Sequence, residues 1–296
     1  MQPEILTLTT GMDEETWLQE RKKGLGGSDA AAAIGLSRWK SPFRLWLEKT
    51  GQIAPEEAGE SAYWGTIHEP QIRAEFVKRS GKTVSKPEAI FQHPEYPWML
   101  ANVDGEIEGE NAGLEVKTAS DAYADEWADG KIPLAYQIQA FHYMAVMGWD
   151  RMYFAVLIGG NKYVQPEPLE RDADIIADLI EKETAFWNLV QSGETPWLDG
   201  SESTSAAVSL LYPETDGTAI ELPGEEMRWI EQYIMARDEE KKWGEKKDEA
   251  ALQLKSQMGA AARALVGTWQ VDWGSYKTNR LDTDRLKTEQ PEVYKA

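Results

Sequence analysis

The sequence predicts an α/β (α+β) domain with a mixed central sheet flanked by helices, followed by a mainly helical C-terminal extension. Three observations predict it. Between residues 13 and 190 the hydrophobic periodicity runs helices, strands, helix, hairpin, helix, which suits a single layered domain. The chain is 42% hydrophobic and carries 13 Trp, 11 Tyr and 6 Phe in 296 residues, enough apolar surface to offset the entropy of ordering a large core. Around 193–223 the composition shifts to Ser, Thr, Gly, Pro and Glu. The expected organisation is therefore a domain over 1–195, a linker or long loop over 196–224 and the extension over 225–296.

Each element has a local cause. Asp13 caps a short helix over 13–23. After the flexible Gly24-Leu25-Gly26-Gly27, a second helix opens with Ser28, Asp29 and four alanines. Glycines before a helix start are an anion-binding layout, where free amides and a Ser hydroxyl meet a phosphate. The simpler reading has Ser28 capping its own helix, and the two roles can coexist. Residues 64–79 are helical in pattern and stop at Gly81, and 98–103 read as an apolar strand ending in Asp104-Gly105. A polar, glycine-bearing connection leads to the next strand, 114–118, whose alternation puts Glu115 and Lys117 on one face and Leu114 and Val116 on the other. Pro133 leads a helix over 134–147 ending at Gly148, and 152–158 and 162–166 form a hairpin about Gly159-Gly160-Asn161. A helix over 172–190 presents Ile175, Ile176, Leu179, Ile180, Phe186, Trp187 and Val190 as its buried stripe. In the extension, 225–264 reads as a charged helix or helical hairpin with an incomplete apolar face. A strand-like piece at 268–273 and a polar stretch over 277–290 follow.

Composition narrows the chemistry. With no cysteine there is no disulfide, thiolate zinc site or cysteine-held cluster, and three histidines at 68, 93 and 142 form no closed imidazole site. Any metal must be held mainly by oxygen. No apolar run approaches the roughly 18 residues of a membrane span, and the acidic start lacks the basic and apolar regions of a secretory signal, so a cytoplasmic protein with no membrane partner is expected. The formal charge of −20 argues against nonspecific adhesion to nucleic acid. The distribution qualifies that: residues 21–44 carry Arg21, Lys22, Lys23, Arg38, Lys40 and Arg44 against Asp29 alone, a net of +5. This stretch reads either as a solvated face or as a phosphate contact patch.

A Glu-x-Lys pattern occurs five times, at Glu20, Glu115, Glu239, Glu240 and Glu245. Only Glu115-Val116-Lys117 lies in an apolar strand that follows another strand ending on an acid. That is what two-carboxylate binding of Mg²⁺ needs, with Asp104, Glu115 and the Val116 carbonyl forming one side of an oxygen shell. Lys117, a cation on the same face, can hold or help deprotonate the attacking water and offset charge in the transition state. The bland alternative is a strand-edge ion pair beside a turn aspartate.

Five pieces fall in order along the chain: Trp17 through Arg21 with Gly-Gly-Ser28-Asp29; Trp64-Gly65 with His68-Glu69; Asn102-Val103-Asp104-Gly105; Leu114-Glu115-Val116-Lys117; and Tyr136-Gln137-Ile138-Gln139 with Tyr143. Together they resemble the YqaJ-like viral recombinases, relatives of phage lambda exonuclease within the PD-(D/E)xK nucleases. The likeness covers about residues 14–165. It implies a PD-(D/E)xK restriction-endonuclease-like core in which Asp104 and Glu115 bind Mg²⁺, with Mn²⁺ able to substitute, and Lys117 is the catalytic lysine. It further implies that Glu69 completes the metal shell, with His68 beside it as a rival ligand. Gln139 and Tyr143, four apart on one helical face, orient the site or the DNA. Arg21 and Ser28 take a 5′-phosphate, with Gly27, Lys22, Arg38, Lys40 and Gln137 joining the DNA-binding set. The partners implied are double-stranded DNA ends, a single-strand annealing protein and further copies of the chain in a trimer, inside a bacterial host as a phage or prophage product.

The expected activity is hydrolysis of linear duplex DNA, 5′ to 3′, for phage-type recombination. Two alternatives stand beside it: an endonuclease that nicks or restricts, and a noncatalytic scaffold on a nuclease fold. The scaffold would have little reason to keep Lys117.

Overall fold

The computed structural model describes residues 2–56, 59–274 and 283–295. The chain divides into two compact units, Met1–Asp216 and Gly217–Ala296. The first opens with β1 (Glu4–Leu8), α1 (Glu14–Lys22), β2 (Leu25–Gly26), α2 (Gly27–Ala33), α3 (Pro42–Lys49) and α4 (Glu60–Ser80). Then come β3 (Val84–Ser85), β4 (Ala89–Gln92), β5 (Met99–Ala101), β6 (Gly105–Ile107) and β7 (Ala112–Ala119). A 3₁₀ segment leads to α5 (Leu134–Met147), β8 (Arg151–Ile158), β9 (Lys162–Val164), β10 (Leu169–Glu170), α6 (Ala173–Ser192) and α7 (Glu202–Leu211).

Two sheets organise this unit. The larger has the order β10-β8-β7-β6-β3, with β9 also on β8, and it is mixed: β7 and β8 run parallel while β6, β3, β9 and β10 join antiparallel. The smaller has the order β1-β4-β5-β2. A strand flanked on both faces reads as a nearly continuous apolar run. β8 does so, with Met152, Phe154, Ala155 and Val156 fully buried, and it forms the wall against which β7 is registered, Glu115 opposite Phe154 and Lys117 opposite Val156. The strand carrying Glu115 and Lys117 is therefore interior and its geometry is fixed by its neighbour.

Helix α5 carries the rest of the site through the core. Its residues from Ile138 to Met147 are all buried, so Gln139, His142 and Tyr143 are polar groups held in an apolar helix and must find partners. His142 supplies a structural tie: Nδ1 lies 2.9 Å from Glu183 of α6, and Nε2 donates to the Leu100 carbonyl of β5 at 3.0 Å. On the other side of α5, a Cβ at Gly27 would fall 2.5 Å from the Tyr143 ring, so glycine is what lets α2 approach the helix. The same holds at Gly113, where a Cβ would meet Trp149 at 2.0 Å.

Several expected elements differ. The connection after Asp104 is not a plain loop, because Gly105–Ile107 pairs with β7 and adds a strand. The second helix is capped by Gly26 and not by Ser28, which lies inside α2. Ile175 is exposed, whereas Ile176, Leu179, Phe186 and Trp187 are buried as expected. The linker expected over 196–224 contains α7, whose start is fixed by Ser201 accepting the Thr204 N–H. Ala207 of α7 is fully buried with Phe43, Trp46 and Trp187, so this small-residue stretch packs where its Ser and Thr content suggested a loop. The first unit accordingly ends at Asp216.

The second unit holds a 3₁₀ turn (Gly224–Glu226), one unbroken helix α8 (Met227–Met258), the hairpin of β11 (Arg263–Val266) and β12 (Trp269–Asp272), and short helices α9 (Thr283–Glu289) and α10 (Pro291–Lys295). No residue of α8 is buried. The polar stretch expected over 277–290 is described only from 283. Among the described residues no helix is long and apolar enough to cross a membrane.

Candidate active site

Asp104 stands between β5 and β6, and Glu115 and Lys117 are two apart on β7, hence on one face. The Val116 N–H donates to Asp104 Oδ2 at 2.9 Å, so the aspartate is anchored by the strand that carries its partners. Arg73 of α4 donates to the Asp104 carbonyl at 2.6 Å, holding the chain just before β6. Glu115 is buried at 3% exposure. Its Oε1 receives Lys117 Nζ at 2.6 Å and the Gln139 amide at 2.7 Å. The same amide lies 3.3 Å from the Tyr143 hydroxyl. Glu115 Oε2, buried as well, has no hydrogen-bond partner among the described residues.

An orphaned carboxylate oxygen in a buried position costs on the order of 1–3 kcal/mol or more unless something satisfies it. Here the unsatisfied atom belongs to one of two acids in the same place. Burial, then the Glu115 charge, pushes the Asp104 carboxyl up to about 8, only partly opposed by Lys117. For Lys117 burial alone would lower the ammonium, but Glu115 and Asp104 outweigh it and hold the group above the usual lysine range. Lys117 is thus a cation, not a free base. Burial, with Glu115 and Asp104, drives the Tyr143 phenol far upward, leaving it a neutral hydrogen-bonding group. Two oxygen acids, one oxygen without a partner and no nearby thiolate form a donor set that suits a hard divalent cation. The residues present fit Mg²⁺.

The second constellation lies on the other side of Tyr143. Arg21 stacks on Trp17 at 4.7 Å and donates to Ser28 Oγ at 2.7 Å. These three residues line a small recess of about 50 Å³ with Gly26, Asn102 and Tyr143. Asp29 beneath it accepts the Gly26 N–H at 3.1 Å and pairs with Lys49 at 2.8 Å. Burial would raise the Asp29 carboxyl, yet Lys49 and Arg21 outweigh it and hold it well below the usual range. The amide at the start of α2 is thus taken by Asp29, which removes one donor from the anion site expected there. What remains is the Arg21 guanidinium and the Ser28 hydroxyl. Tyr143 links the two constellations, since it touches Gln139 on one side and lines the recess on the other.

The remaining expected residues stand around these two constellations. Glu69 Oε1 is engaged by Arg73 at 2.8 Å and Lys86 at 2.6 Å. His68 stacks on Trp64 with ring centroids 5.7 Å apart and faces a separate cleft. Among the described residues no three His, Asp or Glu side chains are set to hold a metal together. The Val116 N–H bond to Asp104 fixes the residue whose carbonyl was expected in the shell. Of the basic segment, Lys40 pairs with buried Glu48 at 2.6 Å and Arg38 forms a two-pronged pair with Glu126, so much of the +5 seen in sequence is spent inside the fold. Lys22 lines the wide cleft of about 1060 Å³ beside Arg21. Gln137 donates to the Ile132 carbonyl at 2.6 Å, steadying the start of α5 away from the site.

Two functional neighbours were not foreseen: Lys49, which also donates to the carbonyls of Arg21 and Gly24, and Arg73, which bridges Glu69 and Asp104. A Glu and an Arg four apart on α4 carried a local signal for the second; nothing local marked the first.

With this geometry in hand, the YqaJ-like viral recombinase domain matches residues 16–150, which include every member of both constellations. The chain belongs to that family: it is 42% identical over 98% of its length to protein YqaJ of Bacillus subtilis (strain 168), of which it covers 92%. In fold, it is similar to the crystal structure of an alkaline exonuclease, LHK-Exo, from Laribacter hongkongensis, at TM-score 0.54 and 22% identity over 60% of this chain and 93% of that one. The complex of LHK-Exo with dAMP aligns at TM-score 0.53, with the same identity and coverage. The expected nuclease-type mixed fold stands on that likeness.

The electrostatics give a test of the acid pair. The folded state holds the Asp104 proton above its ordinary value near 3.8, so ionising this group costs stability as pH rises from about 4 to about 8. Asp104→Asn lacks that cost. In EDTA, the variant's stability relative to the wild type, from urea unfolding, should grow across this window; parallel pH curves would show that neither burial nor Glu115 raises the Asp104 carboxyl.

Proposed function

We propose that the protein is a metal-dependent exonuclease that hydrolyses linear double-stranded DNA from its 5′ ends and leaves 3′ single strands for phage-type recombination. The observation that carries this reading is the buried, unpartnered Glu115 oxygen, beside Asp104, on an acid whose other oxygen is fixed by Lys117 and Gln139. Asp104 and Glu115 would hold Mg²⁺, or Mn²⁺ in its place, with the Val116 carbonyl and, through water, Glu69 as further oxygen donors. When bound, such a cation supplies Lewis-acid polarisation of the phosphoryl group and eases deprotonation of the attacking water. Lys117, held as an ammonium at the same carboxylate, offsets the charge that gathers on the phosphoryl oxygens as the bond breaks. Gln139 fixes the Glu115 carboxylate through Oε1, so that the buried Oε2 is the oxygen left for a cation. Arg21 and Ser28 receive a terminal phosphate: the guanidinium already donates to Ser28 Oγ, which leaves the hydroxyl proton for the phosphate. The family and the fold shared with an alkaline exonuclease support this reading.

Two variants check it. Lys117→Ala should lower kcat at least about a hundredfold while the thermal stabilisation by Mg²⁺ persists, because a positioned transition-state charge is lost and the carboxylates remain; near-normal turnover would refute the site. Arg21→Ala should abolish a preference for 5′-phosphorylated over 5′-hydroxyl ends, measured as the ratio of kcat/KM on the two duplexes. A preference that survives the substitution would place the terminal phosphate elsewhere.

A further inference from the structure

A second cleft, of about 610 Å³, begins where β7 ends, and its walls include Thr118 and Ser120 just past Lys117. It shares no lining residue with the Arg21 recess. The recess reaches the carboxylates through Tyr143 and Gln139; this cleft reaches them through Tyr136, whose ring lies 4.9 Å from Lys117 Nζ. Its other walls are aromatic. Trp39, Trp64 and Tyr123 are 48%, 50% and 43% exposed, a costly display of apolar ring surface gathered in one place. Trp39 is held by the cleft's inner rings, 6.1 Å from Tyr136, which stacks on buried Trp127 at 5.4 Å, and Trp64 by its stack on His68.

The charges here are already spent. The Arg38 guanidinium sits 4.4 Å from the ring centroids of both Trp39 and Tyr123 and is paired with Glu126, while Glu60 accepts the Trp64 indole N–H at 3.0 Å. A phosphate therefore finds no unpaired cation among these groups. Arg38 covers one face of Trp39 and of Tyr123 and His68 stacks on Trp64, so what the cleft offers is the remaining half-exposed ring surface, and the ligand that matches it is a planar aromatic ring. If the reacting phosphate lies at Glu115 and Lys117 and the 5′ end at Arg21, the cleft beside Tyr136 is within covalent reach of the next nucleotides on the 3′ side once these are unpaired.

We propose that Trp39, Trp64 and Tyr123 form a nucleobase-stacking site for nucleotides on the 3′ side of the cleaved bond. The inference rests on the nuclease reading above, which supplies the strand, but it adds a base-dependent binding site that the hydrolytic chemistry does not require. Stacking of one base on one ring is worth about 1–3 kcal/mol, roughly fivefold to a hundredfold in affinity, and is tolerant of sequence.

The test measures binding of the full-length protein in EDTA to 5′-phosphorylated single strands of equal length, one with thymine throughout and one with abasic sugars, by fluorescence anisotropy. The base-containing strand should bind about tenfold more tightly or better. Trp39→Ala and Trp64→Ala should each reduce that advantage several-fold without changing affinity for the abasic strand, and Trp39→Phe and Trp64→Phe should restore most of it. Equal affinity of wild type for both strands overturns the proposal and points to a cleft kept for a protein segment. An advantage undiminished in both alanine variants also overturns it, since the bases then stack elsewhere. Mg²⁺-dependent cleavage of linear duplex, assayed alongside, separates the two failures: cutting without base-dependent binding removes the stacking site alone, and base-dependent binding without cutting removes the nuclease reading alone.

Discussion

The rest of the structure depends on how Glu115 is buried. A carboxylate in a parallel strand packed on apolar β8 would ordinarily be expelled or fully paired. Here Lys117 and Gln139 satisfy one oxygen and nothing among the described residues satisfies the other. The arrangement forces several features at once: an interior strand that cannot slip register, an apolar helix α5 that still delivers a glutamine, and an aspartate tied by Val116 to the strand it must face. Repulsion between the acids is a standing cost to the fold, and the cation proposed for the site would relieve it. Stability is given up at the place where chemistry is to happen.

From that point two routes lead outward. One runs through Gln139 and Tyr143 to Arg21 and Ser28, and it requires the close approach of α2 that Gly27 permits. The other runs from Lys117 past Tyr136 into aromatic walls. The first is equipped for charge and the second for rings. On the proposed function, this division also accounts for how an acidic protein would handle a polyanion: the net charge of −20 says little about a region whose cations are gathered in pairs around buried acids, Arg21 and Lys49 at Asp29 and Lys40 and Arg44 at Glu48.

Much of this was legible in the sequence, for reasons that can be named. The strand carrying Glu115 and Lys117 stood out because its alternation is local and its neighbours are apolar, and α1, α5 and α6 were bounded by local signals at Asp13, Pro133 and Asp172. What escaped was decided by distant contacts. The +5 of residues 21–44 looked available because Glu48 and Glu126, which pair with Lys40 and Arg38, lie outside the segment. Glu69 carried no local sign that Lys86, seventeen residues on and just past β3, would pair with one of its oxygens. Helix α7 was hidden in a loop-like composition because burial of Ala207 against Trp187 is a tertiary event. Sequence pattern locates residues that act through their own strand or helix; it does not show which charges the fold has already used.

If Asp104 and Glu115 support metal-dependent attack on a strand entering by its end, one duplex sequence offered both as a linear 5′-phosphorylated fragment and as a covalently closed circle, in Mg²⁺ and in EDTA, meets two different fates. We expect progressive loss of the linear fragment in Mg²⁺ alone, with the closed circle intact. Linearisation of the circle, degradation in EDTA, or a linear fragment untouched in Mg²⁺ would overturn the proposed activity.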